Sequence, residues 1–277
     1  MTGVNPPLTA ADPAAPGRVG CVLGFDVTEP AEIALLVAAA RPRGERFSAV
    51  CDGVPLEVRE LSDGGGRQHL LRVPAGTVTV TYAAEVDADL PEPPPVGPLE
   101  RIVALRPSRY CPSDVLLGFA TREFGTAEDP AATVRAITAY VAGHLDYVAG
   151  SSGPTTDATQ TLLGGQGVCR DYAHLVATLC RAVGVPARVA AVYAPGLSPM
   201  DFHLVVEAAI GDRWQVWDAT RLAPRGSLIR IATGRDAADV AFATTLSGRT
   251  SMTNMMITAV AGGDLPQDDH VSAAVLR

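Results

Sequence analysis

The sequence predicts an α+β protein in which a small N-terminal β-sandwich precedes a unit of helices and a β-hairpin. Three observations carry this. Between Thr77 and Val86 the residues Val78, Val80, Tyr82, Ala84 and Val86 alternate with threonines, the period-two pattern of a half-buried strand. Five prolines (Pro91, Pro93, Pro94, Pro95 and Pro98) then crowd one short stretch and make a semi-rigid break. Beyond the break the apolar residues recur at helical spacing.

Residues 1–18, rich in Pro and Ala, lack both a basic stretch and a continuous apolar run, and read as a disordered tail rather than a signal peptide. Residues 19–87 form the sandwich, cut into short strands by Val54-Pro55, Asp63-Gly64-Gly65-Gly66 and Val73-Pro74. Residues 88–98 are the linker. The second unit, 99–265, opens with a helix from a Ser113 cap to Phe124, stopped by Gly125. Asp129-Pro130 supplies an N-cap and a proline at the first turn of the next helix, whose face is Val134, Ile137, Val141 and Leu145. Gly164-Gly165-Gln166-Gly167 opens another helix at Cys169, ended by Gly184 and Pro186. A strand at Val189–Tyr193 and a loop lead to a hairpin with arms 203–210 and 213–220, turning at Gly211-Asp212. Residues 266–277 are a C-terminal tail.

Composition excludes several chemistries. The 277 residues carry 30 acidic and 22 basic side chains, a net charge of −8, and every basic residue is arginine. Without lysine there is no Schiff-base or P-loop chemistry, and any lysine-type acyl acceptor must come from outside. The acidic balance argues against nucleic acid as a partner. No apolar run approaches the ~20 residues of a membrane span, so no membrane partner is expected. Five scattered cysteines show neither CxxC nor zinc-knuckle spacing; they fit a reducing, cytoplasmic setting, and no metal or cofactor is expected.

Cys169 differs from Cys21, Cys51, Cys111 and Cys180 by position. It begins a helix directly after glycines, where free N–H groups and the helix dipole favour a thiolate and can receive an oxyanion. A nucleophilic cysteine needs a base, and the base needs an orienting group. His174, five residues along the same helix, is turned roughly 140° away. His203 is better placed: strand alternation puts His203 and Asp218 on one face of the hairpin. A two-residue turn makes them diagonal, and a four-residue loop directly opposite. Either register lets Asp218 orient the ring, provided the Cys169 helix packs on that face. Gln166 is a candidate oxyanion donor or a plain loop residue. Tyr193 is a cleft-lining candidate or a core residue.

The blocks Gly167-Val168-Cys169-Arg170-Asp171-Tyr172-Ala173-His174-Leu175, Asp201-Phe202-His203 and Trp217-Asp218-Ala219-Thr220-Arg221-Leu222-Ala223-Pro224 resemble the bacterial transglutaminase-like superfamily, as does Ile231–Ala241. The branch resembled carries an extra N-terminal β domain. The resemblance implies a papain-like core, a nucleophile helix packed on an antiparallel sheet, and matches Cys169, His203 and Asp218 to the family's catalytic triad. Leu204-Val205 where the family has Ala-Trp, and Asp218-Ala219 where it has Asp-Pro, leave the triad intact and alter the pocket. The expected activity is cysteine-type acyl transfer through a thioester, directed at a peptide or amide substrate and leaning to hydrolysis. The alternatives are amide formation with an external amine or a carrier-bound thioester, and a non-catalytic peptide-binding module.

Overall fold

The computed structural model describes residues 16–62, 64–87, 91 and 93–276; most of the expected N-terminal tail and part of the linker (88–90 and 92) lie outside the described residues. The N-terminal strands are β1 (Gly17–Leu35), β2 (Gly44–Cys51), β3 (Val54–Pro55), β4 (Val58–Ser62), β5 (Arg67–Val73) and β6 (Gly76–Val86). Helices α1 (Pro98–Ala104), α2 (Leu117–Phe124) and α3 (Pro130–His144) follow, then β7 (Asp146–Tyr147), α4 (Ala158–Gly164), β8 (Gln166–Gly167) and α5 (Cys169–Ala182). The chain continues through β9 (Ala187–Tyr193), β10 (Phe202–Ile210), β11 (Arg213–Trp217), β12 (Ile229–Gly234), α6 (Ala237–Val240) and β13 (Ala243–Val260).

Where a sandwich of short strands was expected, the N-terminal strands hydrogen-bond into one curled seven-stranded antiparallel sheet. The cause lies in β1, which begins at Gly17 and runs for 19 residues. One edge of β1 pairs with β6 over Gly17–Val27 and then with β5 over Ala31–Leu35, so Pro74 bends this neighbour without turning it back. The other edge pairs with β13, which falls within the expected second unit (99–265) yet completes the first sheet. The alternation read in Thr77–Val86 is realised: Val78, Val80, Tyr82, Ala84 and Val86 are all buried.

The second sheet is antiparallel in the order β11-β10-β9-β12. Helix α3 starts as expected, with Asp129 Oδ1 accepting from Ala132 N–H at 3.1 Å. Helix α2 ends at Gly125 but starts at Leu117, four residues beyond the expected cap, because the chain first turns at Pro112–Leu116. One apolar core joins α3, α5 and one face of the second sheet to the first sheet. Backbone hydrogen bonds from Leu36 N–H to the Phe242 carbonyl, from Ala40 N–H to the Arg230 carbonyl and from Thr233 N–H to the Gly65 carbonyl stitch the two parts together. The C-terminal tail packs against the second sheet: Val216 N–H donates to the Ala274 carbonyl at 2.8 Å, and Leu276 is buried.

Candidate active site

The start of α5 is built by local chemistry. Gly165, at φ +65°, closes α4 in the left-handed conformation that favours glycine. Gln166–Gly167 then pair in parallel with Asp146–Tyr147, and Val168 caps α5 in an extended conformation. Asp171, fully buried, folds back over this end: Oδ2 accepts from Val168 N–H at 2.8 Å and from the Ser152 hydroxyl. Arg170 Nη2 bridges Asp171 Oδ1 (3.1 Å), Ser152 Oγ (3.0 Å) and the Gly153 carbonyl (2.8 Å). Gly167 has to be glycine, since a Cβ there would meet Asp171 Cβ at 2.6 Å. Cys169 is thereby fixed as the first helical residue and is partly exposed, whereas the other four cysteines are buried and all five are free.

The hairpin takes the two-residue turn, with Ile210 paired to Arg213 and Val206 to Trp217. That register makes Asp218 diagonal to His203, one of the two arrangements open from sequence. His203 Nε2 lies 2.8 Å from Asp218 Oδ2. Asp218 Oδ1 in turn accepts from the Thr220 N–H at 2.9 Å and hydroxyl at 2.7 Å. His203 Nδ1 has no hydrogen-bond partner among the described residues, and Cys169 acts on the ring alongside Asp218.

Electrostatics follow from this geometry. Burial alone would lower the His203 pKa, but the Asp218 charge and hydrogen bond, with Cys169, push it up to about 10. Burial would raise Asp218; the His203 charge and hydrogen bond, with the Thr220 bonds, hold it below the usual carboxylate range.

One expectation needs correction. The body of α5 does not pack on the face that carries His203. Tyr172, Leu175, Val176 and Leu179 share a core with Leu204, Val206 and Ala208, whereas Val205 and Val216, on the His203 and Asp218 face, belong to a second cluster containing Leu276. Cys169 meets His203 at the beginning of β10, where its Sγ lies 4.0 Å from the Phe202 carbonyl oxygen. The contact is made at the tip of the helix and the end of the strand.

The remaining candidates separate. Gln166 is exposed on β8, and its amide has no hydrogen-bond partner among the described residues. Tyr193 does not line the cleft: it is fully buried and its hydroxyl donates to the Val37 carbonyl at 2.8 Å, because its position on β9 faces the shared core. His174 is buried against Tyr110, its Nε2 accepts from Ala237 N–H at 3.0 Å, and burial lowers its pKa to about 4.

Three residues at the site had no role assigned from the sequence. Thr220 holds Asp218, and an Asp two positions before a Thr is a recognisable local turn signal. Tyr147 and Asp201 stand near Cys169 and His203: the charges of Cys169 and Asp201 raise the Tyr147 pKa, and the His203 charge lowers that of Asp201. Tyr147 arrives through the pairing of β7 with β8, which leaves no local trace in sequence.

A cysteine at the first residue of a helix, packed on an antiparallel sheet that carries a histidine and a carboxylate, defines the papain-like class of cysteine-nucleophile folds. The model of the transglutaminase-like superfamily matches residues 119–219, a span that holds Cys169, His203 and Asp218. The crystal structure of a candidate cysteine protease from Cytophaga hutchinsonii is 36% identical, with a TM-score of 0.80 over 90% of this chain and 91% of that one. An uncharacterized protein of Mycobacterium leprae, ML0607, is 25% identical over 193 residues, 62% of this chain and 68% of the relative. The periplasmic domain of TgpA from Pseudomonas aeruginosa is 18% identical, with a TM-score of 0.39 over 79% of this chain and 94% of that one. The chain belongs to the transglutaminase-like superfamily. Among the described residues no helix is long and apolar enough to cross a membrane.

Proposed function

We propose that this protein is a cysteine hydrolase of amide or peptide bonds that works through a thioester acyl-enzyme. Cys169 Sγ attacks the carbonyl, His203 first shares the thiol proton and then delivers it to the leaving amine, and Asp218 holds the ring. The observation that carries this reading is the hydrogen bond of 2.8 Å between His203 Nε2 and Asp218, in a ring on which Cys169 also acts. Water then attacks the thioester with His203 as base.

The likeness to the candidate cysteine protease of Cytophaga hutchinsonii supports hydrolysis. Amine transfer is the second reading, and Asp201 favours it. Burial pushes its carboxyl up, no arginine pairs with it among the described residues, and an incoming amine would be stabilised beside it. The acceptor would be an external amine, or the acyl group would arrive on a carrier-bound thioester. Five free cysteines fit a cytoplasmic setting.

The test is intact-mass analysis of wild type and Cys169→Ala after exposure to a panel of amide and thioester substrates. An acyl adduct and turnover in wild type alone are expected. Equal turnover by both proteins would sink the assignment of Cys169. Iodoacetamide labelling near pH 6 separates enzyme from binding module, because an activated thiolate reacts faster there than a free thiol.

A further inference from the structure

An acyl-transfer site needs donors for the oxygen that becomes negative, and the Cys169 N–H at the helix end supplies only one. We propose, resting on the reading of Cys169 as nucleophile, that the Tyr147 hydroxyl is the second oxyanion donor.

Position argues for it first. β7 runs parallel to β8 with Tyr147 opposite Gly167, two residues before Cys169. The Tyr147 ring lies against Tyr172, one turn along α5 from Cys169, with ring centroids 5.9 Å apart. This sets the phenol beside the start of α5, where the side chain and backbone of Cys169 both act on it, the place a substrate oxygen must reach. Gln166, the side-chain amide nearer in sequence, is exposed on the neighbouring strand.

Rigidity argues for it next. Val148 N–H donates to the Gly167 carbonyl at 3.0 Å, and Ser152 and Gly153 are tied to Asp171 and Arg170. The backbone on both sides of the cleft is therefore one hydrogen-bonded unit. Tyr147 itself is 47% exposed, so a substrate can approach its hydroxyl from solvent. Burial and the charge of Cys169 push the phenol up to about 12, so it carries its proton at neutral pH and can donate.

The step balances simply. Sγ forms a bond to the carbonyl carbon, and the carbonyl electron pair moves onto oxygen. That oxygen accepts hydrogen bonds from Cys169 N–H and Tyr147 O–H, and neither proton is transferred. On collapse the pair returns, the bond to the leaving group breaks, and the leaving group departs with the proton held by His203.

Tyr147→Phe in the full chain keeps the ring and removes the hydroxyl. Two probes report separately: p-nitrophenyl acetate acylates Cys169 through a tetrahedral oxyanion, and iodoacetamide alkylates it without one. Losing one oxyanion donor costs about 10²–10³ in turnover, so acylation should slow by at least about tenfold. Alkylation should stay within about twofold of wild type, which also reports an intact fold. Acylation as fast as wild type, or faster, overturns the proposal. So does a parallel fall in both rates, which would place the hydroxyl in service of the thiol. Wild type that is alkylated but never acylated at Cys169 refutes the acyl-transfer reading itself, and this proposal with it.

Discussion

Asp218 Oδ2 lies 2.8 Å from His203 Nε2, with the histidine side chain 1% and the aspartate side chain 2% exposed. A buried carboxylate on one ring nitrogen does two things. It orients the ring through Nε2, and it keeps the ring cationic far above the ordinary range. The relationship ties the pH behaviour of the site to one contact.

The alkaline limb of turnover should therefore fall near pH 10, where His203 loses the proton it delivers to the leaving amine. Asp218→Asn should bring that limb down toward the ordinary 6.5 and cut turnover by about 10²–10⁴. The same shift acts on stability. The folded state holds the His203 proton more tightly than the unfolded chain, so this stabilisation is complete below pH 6.5 and is lost as pH rises through about 10. Asp218 works in the other direction: its lowered pKa stabilises the fold above 3.8, and that contribution is lost on acidification. A melting temperature that falls equally in wild type and variant between pH 7 and 10 would contradict this account.

Asp171→Ala should destabilise the protein by about 2–4 kcal/mol, because it strands the Val168 N–H and the Arg170 guanidinium together. Asp171→Asn keeps one acceptor and should cost less. Urea denaturation measures both. The Ala variant should also label more slowly at Cys169, since the helix start and the Tyr147 strand are anchored through the same carboxylate.

Much of the site was legible because its signals are local. Glycine spacing marked the start of α5, Gly211-Asp212 marked the hairpin, and alternation placed His203 and Asp218 on one face. What escaped depends on pairing across long separations. Nothing local to Ala243–Val260 says that it crosses back to β1, and nothing in Leu145-Asp146-Tyr147 says that a parallel bridge carries it to Cys169. The face on which α5 packs was equally hidden, since every position from His203 to Ala209 on β10 is buried and alternation gives no inside or outside there.

Residues 99–277 expressed alone should fail to fold. β13 would lose β1, its hydrogen-bonded partner along almost the whole strand, and Tyr193 would lose the Val37 carbonyl. The shared core would be opened along its length. Proton NMR of this fragment should show collapsed dispersion; a well-dispersed spectrum with normal Cys169 labelling would mean that the second unit stands alone.

The C-terminal strap offers the last test. Arg225 is 1% exposed, and Asp268 engages it with both oxygens, at 3.0 Å from Nε and 2.7 Å from Nη2. Arg225 Nη1 also donates to the Val216 carbonyl, and its guanidinium lies 5.7 Å from the centre of the Trp217 ring, immediately before Asp218 in the chain. Asp268→Ala leaves the buried Arg225 only the exposed Asp269, 3.5 Å away, and should cost about 3–5 kcal/mol. The double variant Arg225→Met with Asp268→Leu removes both charges and should recover much of that loss, because an apolar pair of similar size pays no desolvation. Denaturation of the two singles and the double gives the coupling directly. Additive costs would mean that the strap is held by Leu276 and backbone pairing instead of by this ion pair.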